Sequence, residues 1–505
     1  MNDKNITNFV QIDQAQDDSW LENHSQQIIC PDRVEHLSES ISSLEPLPTE
    51  LLGNAAWEND FAPFYKRGIP LGVSAELNKI YYNGHRHLIT FAPTGGGKFV
   101  AVQAPILLEY NASIVAIDPK GEATMVTALK RRQMGHKVRI IDPFNVIDDA
   151  KFPELAEFKV GFNPLANLSK IDDQDLLLSS VLAISEALII SQGGRDSYFD
   201  DTARELVTCL ILQVVLNDNN PTLGKVRRLL TGVDVSLEKT INKMLDSEFT
   251  PLAQKASCFL AQSNAINCVI SVAISQTSFL DDPLIEQSLS KNDFNFLNLK
   301  FYRETVFIIL PPSLIIAHSR WFRLLITSAL NSFFSTFEGE GSPVLLMLDE
   351  CAALGRLPIL ETALALGRGY GCQIASFWQD LHQLRSIYGY SADSFLANAG
   401  VQQYFTPNDI DTAERISKRL GKLTVVNRNY SFNSNEFGVY RNFPTLNFGE
   451  IAVPLMSTYE LMGLPKDEQI LFISGNSKAL KVRKNYYYLP EHEYSGFAKN
   501  PYYRE

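Results

Sequence analysis

The chain has 505 residues, 45% of them hydrophobic and 20% charged. This length allows two or three domains around a large core, and the composition is that of a globular protein rather than a disordered or fibrous one. The formal net charge is −12, but residues 1–60 carry twelve carboxylates against only Lys4 and Arg33, so this arm holds −10 and the rest is nearly neutral. Six cysteines (Cys30, Cys209, Cys258, Cys268, Cys351 and Cys372) stand singly with no Cys-x-x-Cys spacing. They give neither a zinc site nor a disulfide framework, and suit a reducing cytoplasm. No basic region followed by an apolar core suggests a signal peptide. The best apolar run, Leu176–Ser191, is interrupted by Ser179, Ser180, Ser185 and Glu186, and falls short of the ~18–20 apolar residues of a membrane span.

In chain order, residues 1–60 read as a solvated acidic lead segment, or as a docking or self-inhibiting arm that competes with a polyanion for basic surface. After Gly68, "IPLGVS" and "KIYYNG" suggest a small hairpin, and "HLITFAP" a strand that runs into a glycine loop. A helix (Val100–Glu109), a buried strand (Ala112–Asp118), a second helix (Ala123–Met134) and a third strand (Lys137–Asp142) follow. Alternation at this spacing predicts a parallel sheet covered on both faces. From Ile171 to about Ser290 the apolar residues recur at helical spacing, as in "DDTARELVTCLILQVVLND", which predicts an all-helical domain inserted into the α/β body. The sheet then resumes with Glu304–Leu310, stopped by Pro311 and Pro312. A long helix (Ile315–Phe337), strands Val344–Glu350, Cys372–Gln379 and Val401–Pro407, and a helix Asp409–Leu420 follow. Residues 426–450, rich in Asn, Ser, Phe and Tyr, suggest an exposed loop or hairpin. The expected division is an acidic arm (1–60), a first part of a nucleotide-binding domain (61–168), an all-helical insertion (169–300), and a second part with a C-terminal segment (301–505).

The stretch "FAPTGGGKFV" carries the first chemistry. A phosphate loop needs glycines so that backbone N–H groups converge on phosphate oxygens, a following helix N-terminus, and a lysine that reaches the β- and γ-phosphates. Pro93, Thr94, Gly95, Gly96, Gly97 and Lys98 supply these after a strand and before a helix. The usual first glycine is Ala92, and Phe99 stands where a Ser or Thr hydroxyl normally meets magnesium. Taken alone, such a loop can be a glycine-rich turn. The second half comes from "VLLMLDE", where five apolar residues precede Asp349 and Glu350 at the strand's C-terminal end. Ligands sit at that edge in parallel sheets, and hydrolysis calls for one carboxylate near magnesium and another to activate water. Gln379 ends the next strand, where a neutral amide can sense the γ-phosphate. Arg368, in "LGRGYG", fits a transition-state charge partner at a subunit edge.

These residues resemble the type IV secretion coupling proteins, the TraG-like conjugative motor ATPases. The resemblance rests on "HLITFAPTGGGKF", "SIVAIDPKGE", "GFNPL", "LLMLDECAALGRLPILETALALGRGYG", "SFWQDLHQLRSIYG", "AERISKRLGKLTV" and "VPLMSTYELMGLPKDEQILFISG", and covers about residues 68–490. It implies a RecA-like P-loop motor domain with an inserted all-α domain, assembled as hexamers, using ATP and Mg2+. By position, it implies that Lys98 holds the phosphates, Asp349 orders magnesium through water, Glu350 polarises the attacking water and Gln379 is the sensor. Arg368 would be a trans-acting arginine finger. Asp118 and Lys120 of "DPKGE" would line the nucleotide site or a subunit interface. Members often carry glycine after the loop lysine, so loss of the hydroxyl is tolerated, and Phe99 is expected to turn into the helix packing.

The implied partners are copies of the chain itself, DNA or a relaxase–DNA complex, and type IV secretion components. Typical members begin with transmembrane helices. This chain suggests none, so a cytoplasmic protein held to the inner face of the cell membrane through a partner is expected. The basic groups Lys130–Arg132, Lys225–Arg228 and Lys481–Lys484 read as solvated faces ahead of DNA contacts. Two other functions compete. One is a nucleotide-binding docking adaptor with little turnover, motivated by Phe99 and the missing anchor. The other is an FtsK- or HerA-like cytoplasmic translocase, motivated by the missing span.

Overall fold

A computed structural model describes residues 49–191, 197–260, 263–337, 341–431 and 445–502. The acidic arm expected over 1–60 therefore lies outside the described residues as far as residue 48. The chain divides into two compact units, Met1–Asn54 with Lys422–Val453, and Ala55–Gly421 with Pro454–Glu505.

In the larger unit the strands are β1 (Ile69–Val73), β2 (Lys79–Tyr82), β3 (His87–Phe91), β4 (Ser113–Ile117), β5 (Lys137–Ile141), β6 (Glu304–Ile308), β7 (Val344–Leu348), β8 (Cys372–Trp378) and β9 (Ala399–Tyr404). In the smaller unit β10 (Lys422–Ser431) and β11 (Thr445–Pro454) pair as a two-stranded sheet, in keeping with the hairpin expected there. Its N-terminal piece is tied on by Thr49, which donates from N and Oγ1 to Glu450 at 2.8 and 2.7 Å, and by Thr424, which donates to the Gly53 carbonyl. Back in the larger unit come β12 (Glu468–Ile473) and β13 (Leu480–Arg483).

Eleven strands form one sheet in the order β2-β1-β13-β12-β9-β3-β8-β7-β4-β6-β5. From β9 to β5 all neighbours are parallel, and the flank from β9 to β2 is antiparallel. The central strands read as unbroken apolar runs because both faces are covered. Val344, Leu346 and Leu348 pack with Val115 and Ile117 on one face. Leu345 and Met347 pack with Ile114 and Ala116 on the other. Each such side chain contributes about 1.5–3 kcal/mol on burial, so a charged residue at Leu346 would break the layer. The expected parallel sheet is present. The small hairpin expected over β1 and β2 is present and antiparallel, whereas the antiparallel strands β12 and β13 that join it to β9 lie in a stretch whose sequence shows only a closing segment.

The insertion is helical throughout its described part, with no strand between residues 169 and 260 or between 263 and 300. Five of its helices start where a short polar side chain can accept the orphan N–H groups of a first turn. Asp173 caps Gln174–Leu188, Thr222 caps Leu223–Thr231, Ser236 caps Leu237–Leu245, Ser263 caps Asn264–Gln276 and Asp282 caps Pro283–Ser290. The long helix of the sheet's second half ends at Phe334 rather than Phe337, and is kinked at His318. No described helix is long and apolar enough to cross a membrane.

In each of the three basic groups expected to form a solvated face, one member is buried while the other basic residues are exposed or partly exposed. Arg131 is fully buried, donating to Thr305 Oγ1 at 2.8 Å and the Ala112 carbonyl at 2.7 Å. Arg227 is buried against Asp281, with Nε at 2.7 Å. Lys484 is buried at the end of β13. In every case a helix or strand turns one member of a charged run inward, where the sequence offered only its charge.

Candidate nucleotide site

The phosphate loop leaves the C-terminal end of β3. Ala92 N donates to the Trp378 carbonyl at 2.9 Å, which extends the β3–β8 pairing by one residue before the chain turns away. Gly96 N then donates to the Pro93 carbonyl at 2.9 Å. Gly95 and Gly97 have φ of 76° and 87°, values that side chains with a Cβ rarely adopt. At Gly96 a Cβ would come within 2.9 Å of the Pro93 oxygen. Ala101 N donates to the Gly97 carbonyl and starts the helix, with Lys98 at its N-cap. The first turn, Phe99–Gln103, is a π-helical turn, and the α-helix proper begins at Ala104. Such a widened turn is a known feature of functional helices.

The acids sit on the same edge of the sheet. β7 ends at Leu348, which pairs with Ile117 of β4 and Ser376 of β8. Asp349 follows β7, Asp118 follows β4 and Gln379 follows β8. Because β8 alone separates β3 from β7, two strand spacings, about 10 Å, lie between the loop and the acid pair. Electrostatics report the same closeness. The buried Cys351 thiol is held well above its ordinary range by burial, with Asp349 and Glu350 pushing the same way and the Lys98 ammonium opposing them.

Asp349 Oδ1 is buried and has no hydrogen-bond partner among the described residues. A buried carboxylate oxygen left in this state is costly unless something else fills the role. No described cluster of three or more His, Cys, Asp or Glu could hold a metal on its own. Such a donor set does not suit zinc or calcium. It does fit Mg2+, which keeps most of its waters and takes one or two carboxylates plus phosphate oxygens. Glu350 has φ of 54°, a conformation uncommon outside glycine and often stored at functional sites. Its carbonyl accepts from Ala353 N at 2.9 Å.

Asp118 is buried and accepts from Thr124 N at 2.8 Å and Thr124 Oγ1 at 2.7 Å. Burial nonetheless pushes its carboxyl up to about 6, and the Asp349 charge adds to that rise. Burial also raises Glu122, whose carboxylate accepts from Asn500 Nδ2 at 2.7 Å. Lys120 is exposed, and its carbonyl accepts from Tyr502 Oη at 2.8 Å. The backbone N of Gln379 donates to Gln383 Oε1 at 2.9 Å, which anchors the end of β8 on the next helix.

Arg368 is placed elsewhere. It lies in the turn Gly367–Tyr370, before β8, beside His85 and Gln373. The seven residues of β8 separate it from Gln379 by about 23 Å. Lys98, Asp349, Glu350, Gln379 and Asp118 are thus brought together, and Arg368 is at the opposite edge of the same sheet.

The C-terminal segment after β13 completes the surroundings of the loop, and sequence reasoning missed it. Phe99 packs in an aromatic cluster with Tyr486 and Tyr487. Tyr487 N donates to the Val100 carbonyl at 3.2 Å. Leu480, Val482 and Lys484 alternate along one face, a period-two signal that was present in "LKVRK".

Together, the glycine loop between a strand and a helix and the acid-terminated strand two places away in a parallel sheet define a RecA-like P-loop fold with an inserted all-α domain. The family model described as "Type IV secretory system Conjugative DNA transfer" matches residues 51–500, and the chain belongs to that family. It is 29% identical over 419 residues to the conjugal transfer protein TraG of Rhizobium radiobacter, covering 80% of this chain and 63% of the relative. To the type IV secretion system-coupling protein VirD4 of Bartonella henselae it is 26% identical over 436 residues, 82% and 65% of the two chains. The chain therefore spans about three fifths of the length of the curated relatives it matches. Among solved structures, the plasmid coupling protein TrwB bound to the non-hydrolysable ATP analogue ADPNP superposes with a TM-score of 0.62 at 18% identity, over 89% of this chain and 98% of that one. TrwB with ADP and Mg2+ gives 0.58 at 17% identity, over 89% and 98%.

Proposed function

We propose that this chain is the motor portion of a conjugative coupling protein, which binds ATP with Mg2+ and uses its hydrolysis to pass DNA or a relaxase–DNA complex toward a type IV secretion channel. The observation that carries this reading is the meeting of the Lys98 loop and the partnerless Asp349 oxygen at one sheet edge. Lys98 neutralises the β- and γ-phosphates while the N–H groups of Gly95 to Lys98 orient them. Asp349 holds the metal, which when bound neutralises charge on the phosphate oxygens. Glu350 polarises the attacking water, and Gln379 reads the γ-phosphate. Asp118 and Lys120 line the site or the neighbouring subunit. Arg368 serves a neighbour's site in a ring of identical subunits, a reading favoured by its distance from its own. The TrwB structures with ADPNP and with ADP and Mg2+ support the choice of nucleotide and metal.

The site is tested by ATP turnover with single-stranded DNA and Mg2+. DNA-stimulated hydrolysis that disappears in Lys98→Ala and Glu350→Gln is expected. If wild-type protein at high concentration hydrolyses no ATP under these conditions, the motor reading fails and a nucleotide-binding adaptor takes its place. Against that alternative, the Phe99 ring is taken up edge-on against Tyr487 of the C-terminal segment.

A further inference from the structure

Lys484 is 3% exposed, yet it belongs to none of the roles above. Its Nζ donates to the Gly96 carbonyl at 3.1 Å and stands 3.8 Å above the centre of the Phe405 ring. Its backbone N donates to the Asp467 carbonyl at 2.7 Å. A buried amide ladder ties this position to the strand that launches the phosphate loop. Thr90 of β3 donates to Gln403 Oε1 at 3.0 Å, Gln403 donates to Gln469 Oε1, and Gln469 donates to the carbonyls of Leu71 and Arg483 at 2.9 and 3.2 Å. Lys484 is therefore fixed with respect to β3 through four strands rather than held by its own flexible stem.

We propose that Lys484 is a positioning residue for the phosphate loop, holding the Gly96 carbonyl outward so that the Gly97 N–H points at a bound triphosphate. In a planar trans peptide the C=O of one residue and the N–H of the next point in opposite directions. Fixing one fixes the other, and at Gly97, with φ of 87°, no side chain limits the alternatives. A cation on the carbonyl also polarises the amide and strengthens its N–H as a donor. The residues that follow run along the same loop, with Tyr486 Cε1 3.8 Å from the Cβ position of Gly97 and Tyr487 N bonded to Val100. This inference rests on the reading of the loop as an ATP site.

Burial pushes the Lys484 ammonium down to about 8, with Asp467 opposing. Adjoining it are Arg483 and Tyr486 on its own segment, Asp467 with its chain neighbour Lys466 before β12, and the loop that carries Lys98 two residues past Gly96. Tyr486 is pushed up to about 12 and stays neutral in this range. Below pH 8 the lysine is charged and the contact to Gly96 is present. Above it, the charge and the polarisation are lost.

The test titrates ADPNP with Mg2+ into wild type, Lys484→Met and Lys484→Arg at pH 7 and pH 9. Met keeps the apolar stem and removes the charge, whereas Arg keeps a charge that does not titrate. Loss of one charge-assisted hydrogen bond predicts about tenfold weaker binding for Lys484→Met at pH 7. Wild type should weaken about fivefold between pH 7 and pH 9, with Lys484→Arg holding its pH 7 affinity at pH 9. Lys484→Met with wild-type affinity, or Lys484→Arg declining with pH as wild type does, overturns the inference. Should Lys484→Met not fold, the arginine profile decides alone. A wild type that binds no ADPNP at either pH overturns the ATP site itself, and this role with it.

Discussion

The rings of Phe99 and Tyr487 meet edge-on with centroids 5.8 Å apart, so the side chain that stands in for the usual hydroxyl is spent on packing the C-terminal segment. Phe99→Ser would restore a hydroxyl but remove a half-buried ring and its aromatic pair, together worth about 1–3 kcal/mol. A lower thermal melting midpoint is expected, with ADPNP still bound. Phe99→Leu, which keeps most of the apolar area, should melt close to wild type. A serine variant as stable as wild type would show that the ring does not hold the segment down.

Asp349 and Asp118 follow neighbouring strands, and the Asp349 charge adds to the burial that raises the Asp118 carboxyl. Removing the Asp349 charge should therefore relieve the folded state even as it destroys the site. Asp349→Asn is expected to melt no lower than wild type without ligand, and to lose both ATP turnover and the extra stabilisation that Mg2+ with ADPNP gives wild type. A variant that still gains stability from Mg2+ with ADPNP would remove Asp349 from the metal.

Much of this site was legible because its parts are local. The run Val344–Leu348 with its acid pair, and three glycines before Lys98, each announce a strand end or a loop within a few residues. Their assembly follows from the parallel topology, which the alternation of strands and helices also announces. Lys484, Asn500 and Tyr502 were not legible in the same way. Lys484 comes to the loop at Gly96, and Asn500 and Tyr502 come to Glu122 and Lys120, all through pairings hundreds of residues apart. A buried lysine or arginine carries the same letter as a solvated one, so Arg131, Arg227 and Lys484 could be told apart only by their place in an amphipathic period. The π-helical first turn after Lys98 likewise depends on what packs against it.

His87 links the start of β3 to its neighbours as a neutral ring. Ile374 N donates to its Nδ1 at 3.1 Å, and its Nε2, which then carries the proton, donates to the Leu364 carbonyl at 3.1 Å. Burial lowers its pKa to about 4, and burial with the nearby Arg131 charge lowers His136 to about 3. An unfolded histidine takes up a proton near pH 6.5. Between that pH and about 4 the unfolded state binds more protons than the folded one, so stability is full above pH 6.5 and is lost as pH falls. For His87 alone the loss approaches about 3 kcal/mol by pH 4. Urea melts at pH 7 and pH 5 should show this decline, and His87→Gln, less stable at pH 7, should show a shallower one. An equally steep decline in the variant would assign the acid sensitivity elsewhere.

Arg368 lies across the sheet from Lys98, some seven strand residues away along β8, too far to act on a nucleotide held by its own subunit. If it acts on a neighbour's, a ring site needs Lys98 from one copy and Arg368 from the next. Lys98→Ala and Arg368→Ala should then each lack turnover alone, the first through lost nucleotide binding and the second with ADPNP binding intact. Mixed in equal amounts, they should recover about a quarter of wild-type turnover, the share of interfaces where an Arg368→Ala subunit supplies the lysine and a Lys98→Ala subunit the arginine. A surface arginine with no catalytic part would leave Arg368→Ala active by itself. An arginine needed only within its own subunit would give no recovery on mixing, and either result would strip Arg368 of the trans role.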